Sequence, residues 1–333
     1  MNAMLVLAAV LLAAGGTVRP LALPGSEGGI GFDDLRFSPE LGKLLVPAGR
    51  SGHLDLVDPR THAIVAIAGF SASPSEGDRG HSQGTTSADS GEGLVFASDR
   101  TEGTLVVVDP STRRIVARVK LGGPPDYVRW VAPLREVWVS EPGSKAIETF
   151  RFEGKAPPKL THAGNIEVAD GPESLEIDPR RGRAYTNTWH DATIAIDLGS
   201  RAIVSRWANG CEGARGLAVD AARGFAFVGC KEGKAVALDV EHDGKVLGSA
   251  LAGKGVDVIA FGGKLSHLYV PGAEAANLTV IGVGARGALE VLGTVATAPD
   301  AHCVAADDAG SAYLCDPGKG GLLVFRDPYP ASR

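Results

Sequence analysis

The chain has 333 residues, of which 44% are hydrophobic, 22% are charged and 45 are glycine. This apolar content is enough for a substantial core, and the many glycines indicate frequent turns. The formal net charge is −6. Because nonspecific nucleic-acid binding depends on a basic surface, this charge argues against a nucleic-acid partner.

Residues 1–16 (MNAMLVLAAVLLAAGG) form an apolar run that ends in small residues. Such a run is typical of a secretory signal peptide, and it is too short to span a bilayer comfortably. A buried N-terminal strand or helix is the alternative, and the lack of Lys or Arg before the run departs from the usual leader pattern. We predict that residues 1–16 are cleaved, that no membrane span remains, and that the mature chain is periplasmic or secreted.

A unit of four short extended runs recurs through the rest of the chain. It is clearest in residues 171–207, where turn residues such as Leu-Gly-Ser separate the runs. Seven copies align on one large apolar residue in the second run. These anchors are Leu45, Phe96, Trp138, Tyr185, Phe227, Tyr269 and Tyr313, spaced 42 to 51 residues apart. No copy carries the i, i+3, i+4, i+7 apolar stripe of a helical repeat.

A period in the low forties with four strands per unit indicates β-propeller blades. We therefore predict an all-β fold, a seven-bladed β-propeller of four-stranded antiparallel blades that forms one domain over residues 17–333. The last copy lacks a fourth run, while residues 17–24 have the pattern of an outer strand. The N-terminal strand should pair beside residues 322–325 in the last blade and close the ring, because closure removes a free sheet edge.

The four cysteines fit an exported protein, since disulfides persist in oxidising compartments. Cys303 and Cys315 flank one turn almost symmetrically, and Cys211 and Cys230 flank another. We predict these two pairs among the three possible connectivities. A Cys/His metal site that includes His302 is the alternative, although the sequence has no Cys-x-x-Cys spacing.

The second run of the fourth copy reads Tyr185-Thr186-Asn187, and Asp-Pro turns follow the third runs of the first two copies at Asp58 and Asp109. With these features the chain resembles YVTN-family, YncE-like β-propeller proteins over nearly all of its length after the leader. The resemblance implies the fold but says little about activity, because propellers host many functions. Some YncE-like proteins bind DNA, an implication that the acidic composition opposes.

Aligning the copies on their first runs brings one residue of each blade to the same rim of the central channel. Six of the seven are ionisable: Asp33, Asp126, Glu173, Arg215, Asp257 and His302. The second copy has Gly84 there, with His81 nearby in a Ser/Gly-rich insertion. The fourth copy adds Asn187, Trp189 and His190 from a turn on that rim. Other charges on such turns, including Arg100 and Glu141, are expected to be solvated.

Converging carboxylates repel one another by roughly a kcal/mol per close pair at a surface-like dielectric. A bound cation would offset this repulsion: carboxylates alone suit Ca²⁺ or Mg²⁺, and added imidazole from His302 or His81 favours Zn²⁺. A water-filled channel with a solvated mouth is the alternative interpretation.

We predict a monomeric, exported, non-catalytic binding or scaffold propeller that holds a small polar ligand, a cation or a protein partner at this rim. The first alternative is a metal-dependent, lactonase-like hydrolase, a chemistry that related propellers host. Its cation would be held by Glu173, Asn187, Asp126 and Asp257. A second alternative is a redox scaffold with noncovalently bound haem, whose axial ligand would be His302, His81 or His190.

Overall fold

A computed structural model describes residues 16–73, 83–154 and 157–333. Within these ranges the chain forms seven four-stranded antiparallel sheets. His81 and almost all of the proposed leader lie outside the described residues. The predicted all-β class, the blade number and the strand number per blade are confirmed.

Strand β1 (Val18–Ala22) comes first in the chain but belongs to the last blade. Blade 1 contains β2 (Arg36–Ser38), β3 (Lys43–Pro47), β4 (Ser51–Val57) and β5 (Ile64–Ala72). Blade 2 contains β6 (Ala88–Gly91), β7 (Leu94–Asp99), β8 (Thr104–Asp109) and β9 (Arg114–Lys120). Blade 3 contains β10 (Val128–Val131), β11 (Glu136–Glu141), β12 (Ala146–Glu153) and β13 (Lys159–Glu167), with short 3₁₀ helices at Ala132–Leu134 and Pro142–Ser144.

The remaining four blades follow the same pattern. Blade 4 contains β14 (Glu173–Asp178), β15 (Arg183–Asn187), β16 (Ala192–Asp197) and β17 (Ile203–Ala208). Blade 5 contains β18 (Ala214–Asp220), β19 (Phe225–Cys230), β20 (Lys234–Asp239) and β21 (Lys245–Leu251). Blade 6 contains β22 (Ala260–Gly262), β23 (His267–Gly272), β24 (Asn277–Val283) and β25 (Leu289–Ala296). Blade 7 contains β26 (Val304–Ala306), β27 (Ser311–Asp316) and β28 (Gly321–Arg326), and β1 completes it.

The ring closes through β1, as predicted. Val18 pairs with Phe325 and Ala22 pairs with Gly321, so β1 runs antiparallel to β28 along its whole length. The first and last described strands thus share one sheet, and β1 covers the edge that β28 would otherwise leave unpaired. The propeller is therefore held shut by backbone hydrogen bonds between the two ends of the chain.

The core lies between adjacent blades. One apolar cluster joins blades 1 and 2, for example, and another joins blades 4 and 5. The aromatic anchors Trp138, Tyr185, Tyr269 and Tyr313 are among the largest fully buried side chains. A single blade buries one face only against each neighbour, so the stability of every sheet depends on the closed ring.

The seven anchors occupy one register position in all seven blades. Each faces a first-strand residue directly across the sheet, and these partners are Arg36, Asp89, Arg129, Glu176, Ala218, Ala260 and Ala305. The rim residues lie three positions earlier in each blade. By this register the rim position of blade 2 is Thr86. The prediction that Gly84 occupies it is wrong by two residues, because the long insertion before β6 obscured the alignment of this copy.

Both predicted cysteine pairs are present at disulfide distance. The Cα atoms of Cys211 and Cys230 are 5.3 Å apart, and those of Cys303 and Cys315 are 5.6 Å apart. The structure describes all four cysteines of the chain and leaves none free. A metal site that uses cysteine thiolates is therefore contradicted, although His302 lies beside Cys303 and Cys315.

Candidate functional site

One mouth of the central channel opens into a cavity of about 640 Å³, here called the acidic cavity. Its walls are the loops that lead into the first strands and the turns between second and third strands. The six ionisable rim residues predicted from the sequence all line it: Asp33, Asp126, Glu173, Arg215, Asp257 and His302. Trp189 also lines it, as do the charged side chains of Arg100, Lys231, Glu274 and Asp300.

Burial makes three carboxyl groups of this cavity hard to ionise. It raises the pKa of Asp33 well above its usual range, and the charges of Asp126 and Asp257 add to the effect. Burial also raises the pKa of Asp126 to about 7 against the opposing effect of Arg100. For Glu173, burial and then the charges of Asp126 and Asp257 raise the pKa to about 8. The four carboxyls are therefore close enough to share one electrostatic environment.

Arg100 is the cation that contacts these acids. Its Nη1 atom lies 3.4 Å from Asp126 Oδ1 and 3.8 Å from Asp33 Oδ2. The expectation that Arg100 is solvated is wrong, because the turn between β7 and β8 places its guanidinium group against these acids. Arg100 contacts two of the four carboxyls and the charge of Arg215 acts on Glu173, but the lining has more acidic than basic side chains.

Glu173 is positioned by an unusual backbone. The next residue, Ser174, has a positive φ of 64° and is buried, and the strand register shifts between Glu173 and Glu176. A left-handed non-glycine residue costs of order 1–3 kcal/mol and persists only where its surroundings hold it. Here the Ser174 hydroxyl donates to the carbonyl of Arg215 at 3.2 Å, while the Trp189 indole Nε1 donates to Glu173 Oε2.

Asn187 plays a structural part. Its side chain is completely buried, its Nδ2 donates to the carbonyl of Arg215 at 2.7 Å, and its Oδ1 accepts from Thr193 Oγ1 at 2.8 Å. It does not line the acidic cavity, because it ties blade 4 to blade 5. The amide oxygen that the lactonase-like alternative requires as a metal ligand is thus already engaged.

The two candidate histidines in the described ranges, His302 and His190, do not offer free ring nitrogens to this cavity. His302 Nδ1 lies 2.7 Å from the carbonyl of Asp300, and Nε2 lies 2.9 Å from the carbonyl of Phe32. Carbonyl oxygens only accept hydrogen bonds, so both nitrogens point at acceptors and neither is open to a metal or a haem iron. His190 is exposed on the turn beside Trp189 and is not among the residues that line the cavity.

A second charged layer lies deeper in the channel and was missed from the sequence. Arg129, 2% exposed, places Nη1 2.6 Å from Asp34 Oδ2 and Nη2 3.1 Å from Glu176 Oε1. Arg36 reaches the same Glu176 oxygen at 2.8 Å and Asp89 Oδ1 at 3.1 Å. This network bridges four blades beneath the acidic cavity.

Tyr127 lies between the two layers. The guanidinium carbon of Arg129 is 5.1 Å from the centre of its ring. Burial, and then the charges of Asp257 and Asp33, raise the pKa of the Tyr127 hydroxyl well above its usual range. The Tyr127 hydroxyl therefore stays neutral, although carboxyls of the acidic cavity and the ion-paired Arg129 both lie near it.

No family model and no curated protein sequence matches the chain. Solved structures do match it. A chain of the mitotic checkpoint complex aligns with a TM-score of 0.75 at 12% identity, covering 98% of this chain and 99% of that one. A chain of hydrazine synthase from Kuenenia stuttgartiensis aligns with a TM-score of 0.73 at 14% identity, covering 92% and 97%.

At these identities the likeness concerns the fold alone. In the described ranges, no helix combines the length and apolar character needed to cross a membrane. The chain therefore has the seven-bladed β-propeller fold, an architecture consistent with a binding or scaffold role.

Proposed function

We propose that this chain is a non-catalytic binding propeller whose acidic cavity holds a small cation, with Ca²⁺ or Mg²⁺ as the first candidates. One observation carries the proposal: Asp33, Asp126, Asp257 and Glu173 converge on a single cavity. Arg100 is the one cation in ion-pair contact with them among the described residues. Such a group of acids is stabilised either by bound protons or by a bound cation.

The donor atoms favour a hard cation. Carboxylate oxygens suit Ca²⁺ and Mg²⁺, whereas Zn²⁺ and other transition metals favour imidazole or thiolate. Both nitrogens of His302 face carbonyl groups and all four cysteines are paired, so these softer ligands are absent from the described part of the cavity. A small organic cation would also fit, because it could form a cation–π interaction with the exposed indole ring of Trp189.

Thermal unfolding with added cations tests the proposal. Chelator-treated protein at about pH 8 should melt at a higher temperature as Ca²⁺ or Mg²⁺ is added, because a ligand at 100 times its Kd stabilises the folded state by about 2.7 kcal/mol. Glu173→Gln and Asp126→Asn should reduce this shift. Asp109→Asn, which removes an exposed carboxylate that lies outside the cavity lining, should leave it unchanged. Absence of a shift, or an equal shift in all variants, would count against the cation site.

We also propose that the mature protein comprises residues 17–333, is exported to an oxidising compartment, and belongs with the YVTN-type propellers that its fourth repeat resembles. The apolar residues 1–16 and the two cysteine pairs at disulfide distance support export. N-terminal sequencing of the protein recovered from the periplasm or the medium should begin near Thr17. Recovery of the whole chain from the cytoplasm would refute export.

A further inference from the structure

A cavity larger than the acidic cavity lies on the opposite face, where blades 7 and 1 meet. This junction cavity has a volume of about 1090 Å³, just above the range of about 300–1,000 Å³ typical of ligand sites. The side chains of Phe37, Leu41 and Val324 give it an apolar wall. All three are only half-buried, so the wall is open to an apolar group from solution.

Three arginines line the same cavity without an acidic partner. Arg19 lies in β1, Arg60 lies on the β4–β5 turn, and Arg326 is the last residue of β28. None of their guanidinium groups makes an ion pair with any residue in the described ranges. A guanidinium fork matches a carboxylate with two parallel hydrogen bonds, so three unpaired forks on one cavity favour an anion.

Three arginines that reach across other blade junctions are paired with acids. Arg135 of blade 3 binds Glu92 of blade 2, with Nε 2.6 Å from Oε1. Arg181 of blade 4 binds Glu241 of blade 5, with Nε 2.9 Å from Oε1. Arg201 binds Glu136 in the same way between blades 4 and 3. Arg19, Arg60 and Arg326 have no such ion pair within the described ranges.

The acids near the junction cavity do not fill this role. Asp58 Oδ2 is held by Lys43 Nζ at 2.7 Å. Asp307 Oδ1 accepts the backbone N–H groups of Ala309 and Ser311, each at 2.8 Å. The remaining acid, Asp308, is exposed, so four cationic side chains face three carboxylates, of which two are already bound.

The walls of the junction cavity are also held in place without a ligand. The Tyr313 hydroxyl of blade 7 donates to the carbonyl of Pro59 in blade 1 at 3.1 Å, which fixes the spacing of the two turns that form its sides. A preformed site spends little binding free energy on ordering its walls.

We propose that the junction cavity binds an anionic amphiphile of the fatty-acid class, a molecule with one carboxylate and an unbranched apolar chain. The carboxylate binds the guanidinium groups of Arg60 and Arg326, and the chain lies against Phe37, Leu41 and Val324. This site is independent of the acidic cavity, because it lies on the other face and uses none of the same residues.

Calorimetric titration of the full chain with octanoate tests the proposal, with octan-1-ol and acetate as the matched probes for chain and charge. Octanoate should bind saturably at one site. Octan-1-ol should bind at least about tenfold more weakly, the change that corresponds to loss of about 1.4 kcal/mol. Acetate should give no measurable heat. Equal binding of octan-1-ol, or no saturable binding of octanoate, would overturn the proposal.

Substitutions locate the site. Arg60→Gln and Arg326→Gln should each weaken octanoate binding by about tenfold. Arg114→Gln is the control, because Arg114 is also exposed and without an ion pair in the described ranges but does not line the junction cavity. Thermal melting of each variant verifies folding. Octanoate affinity that is unchanged in both cavity variants would place the binding elsewhere and refute the assignment.

Discussion

Replacing Arg129 with methionine should lower the free energy of unfolding by about 3–5 kcal/mol, the usual cost of removing one partner from a buried ion pair. The substitution keeps an apolar stem of similar length but leaves Asp34 and Glu176 without their shared cation. Asp34 is 2% exposed, so water cannot replace the lost guanidinium. Urea unfolding at neutral pH measures the change.

Arg135→Met is the matched control. Arg135 also pairs across a blade junction, with Glu92, but its side chain is 50% exposed. Exposed pairs contribute about 0–1 kcal/mol, so this variant should unfold at nearly the wild-type urea concentration. Equal losses in the two variants would show that the deep network is not specially important to the ring.

Replacing Asp55 with asparagine should stabilise the protein at high pH. Asp55 is completely buried in β4, and neither carboxyl oxygen has a hydrogen-bond partner in the described part of the chain. Burial raises the pKa of Asp55 from 3.8 to about 7. The protein has its full stability below pH 3.8, the ordinary pKa of this carboxyl in the unfolded chain, because Asp55 is then protonated in both states. Stability is lost as the pH rises from 3.8 to about 7, because the unfolded chain releases this proton more readily than the folded protein.

Three pKa units correspond to about 4 kcal/mol, so Asp55→Asn should gain up to about that amount above pH 7 and almost nothing near pH 4. Urea unfolding at both pH values measures the difference. Asp58→Asn in the same blade should behave oppositely, because a hydrogen bond from Lys43 lowers the pKa of Asp58 and its ionised form is the stabilising one. A loss of stability in Asp55→Asn above pH 7 would show that Asp55 has a bound partner there.

The fold could be predicted because its information is local and repeated. Each blade repeats an apolar anchor, turn residues and four short strands, so an uncertain copy can be aligned on the others. The anchors were assigned correctly in all seven blades, as their shared register shows. Blade 2 alone was misaligned at its rim, where a long insertion precedes the first strand.

The site could be predicted only in part, because its contacts join residues far apart in the chain. Arg129 and Asp34 are 95 residues apart, and no local pattern links them. One signal was available: the positions opposite the first four anchors are Arg36, Asp89, Arg129 and Glu176, whereas alanine occupies them in the last three blades. Alternating charges on inner strands would have indicated an ion network in the channel.

The predicted rim also shows why residue type alone does not define a ligand. Asn187 and His302 have the chemistry of metal ligands, but Asn187 Oδ1 accepts a hydrogen bond from Thr193 and both ring nitrogens of His302 face backbone carbonyls. Glu141, expected to be solvated, is 2% exposed, and burial beside Glu148 raises its pKa to about 7. Such outcomes depend on how blades pack, which the repeat does not specify.

Calorimetric titration with Ca²⁺ and Mg²⁺ at about pH 6 and about pH 9 tests the cation site most directly. The raised pKa values of Asp126 and Glu173, about 7 and about 8, mean that protons occupy these carboxyls at the lower pH and must leave when a cation binds. At least one of the two ions should therefore bind about tenfold or more tightly at the higher pH, with proton release detected from the buffer dependence of the heat. Failure of both ions to bind at either pH, or equal affinity at the two pH values without proton release, would contradict the account.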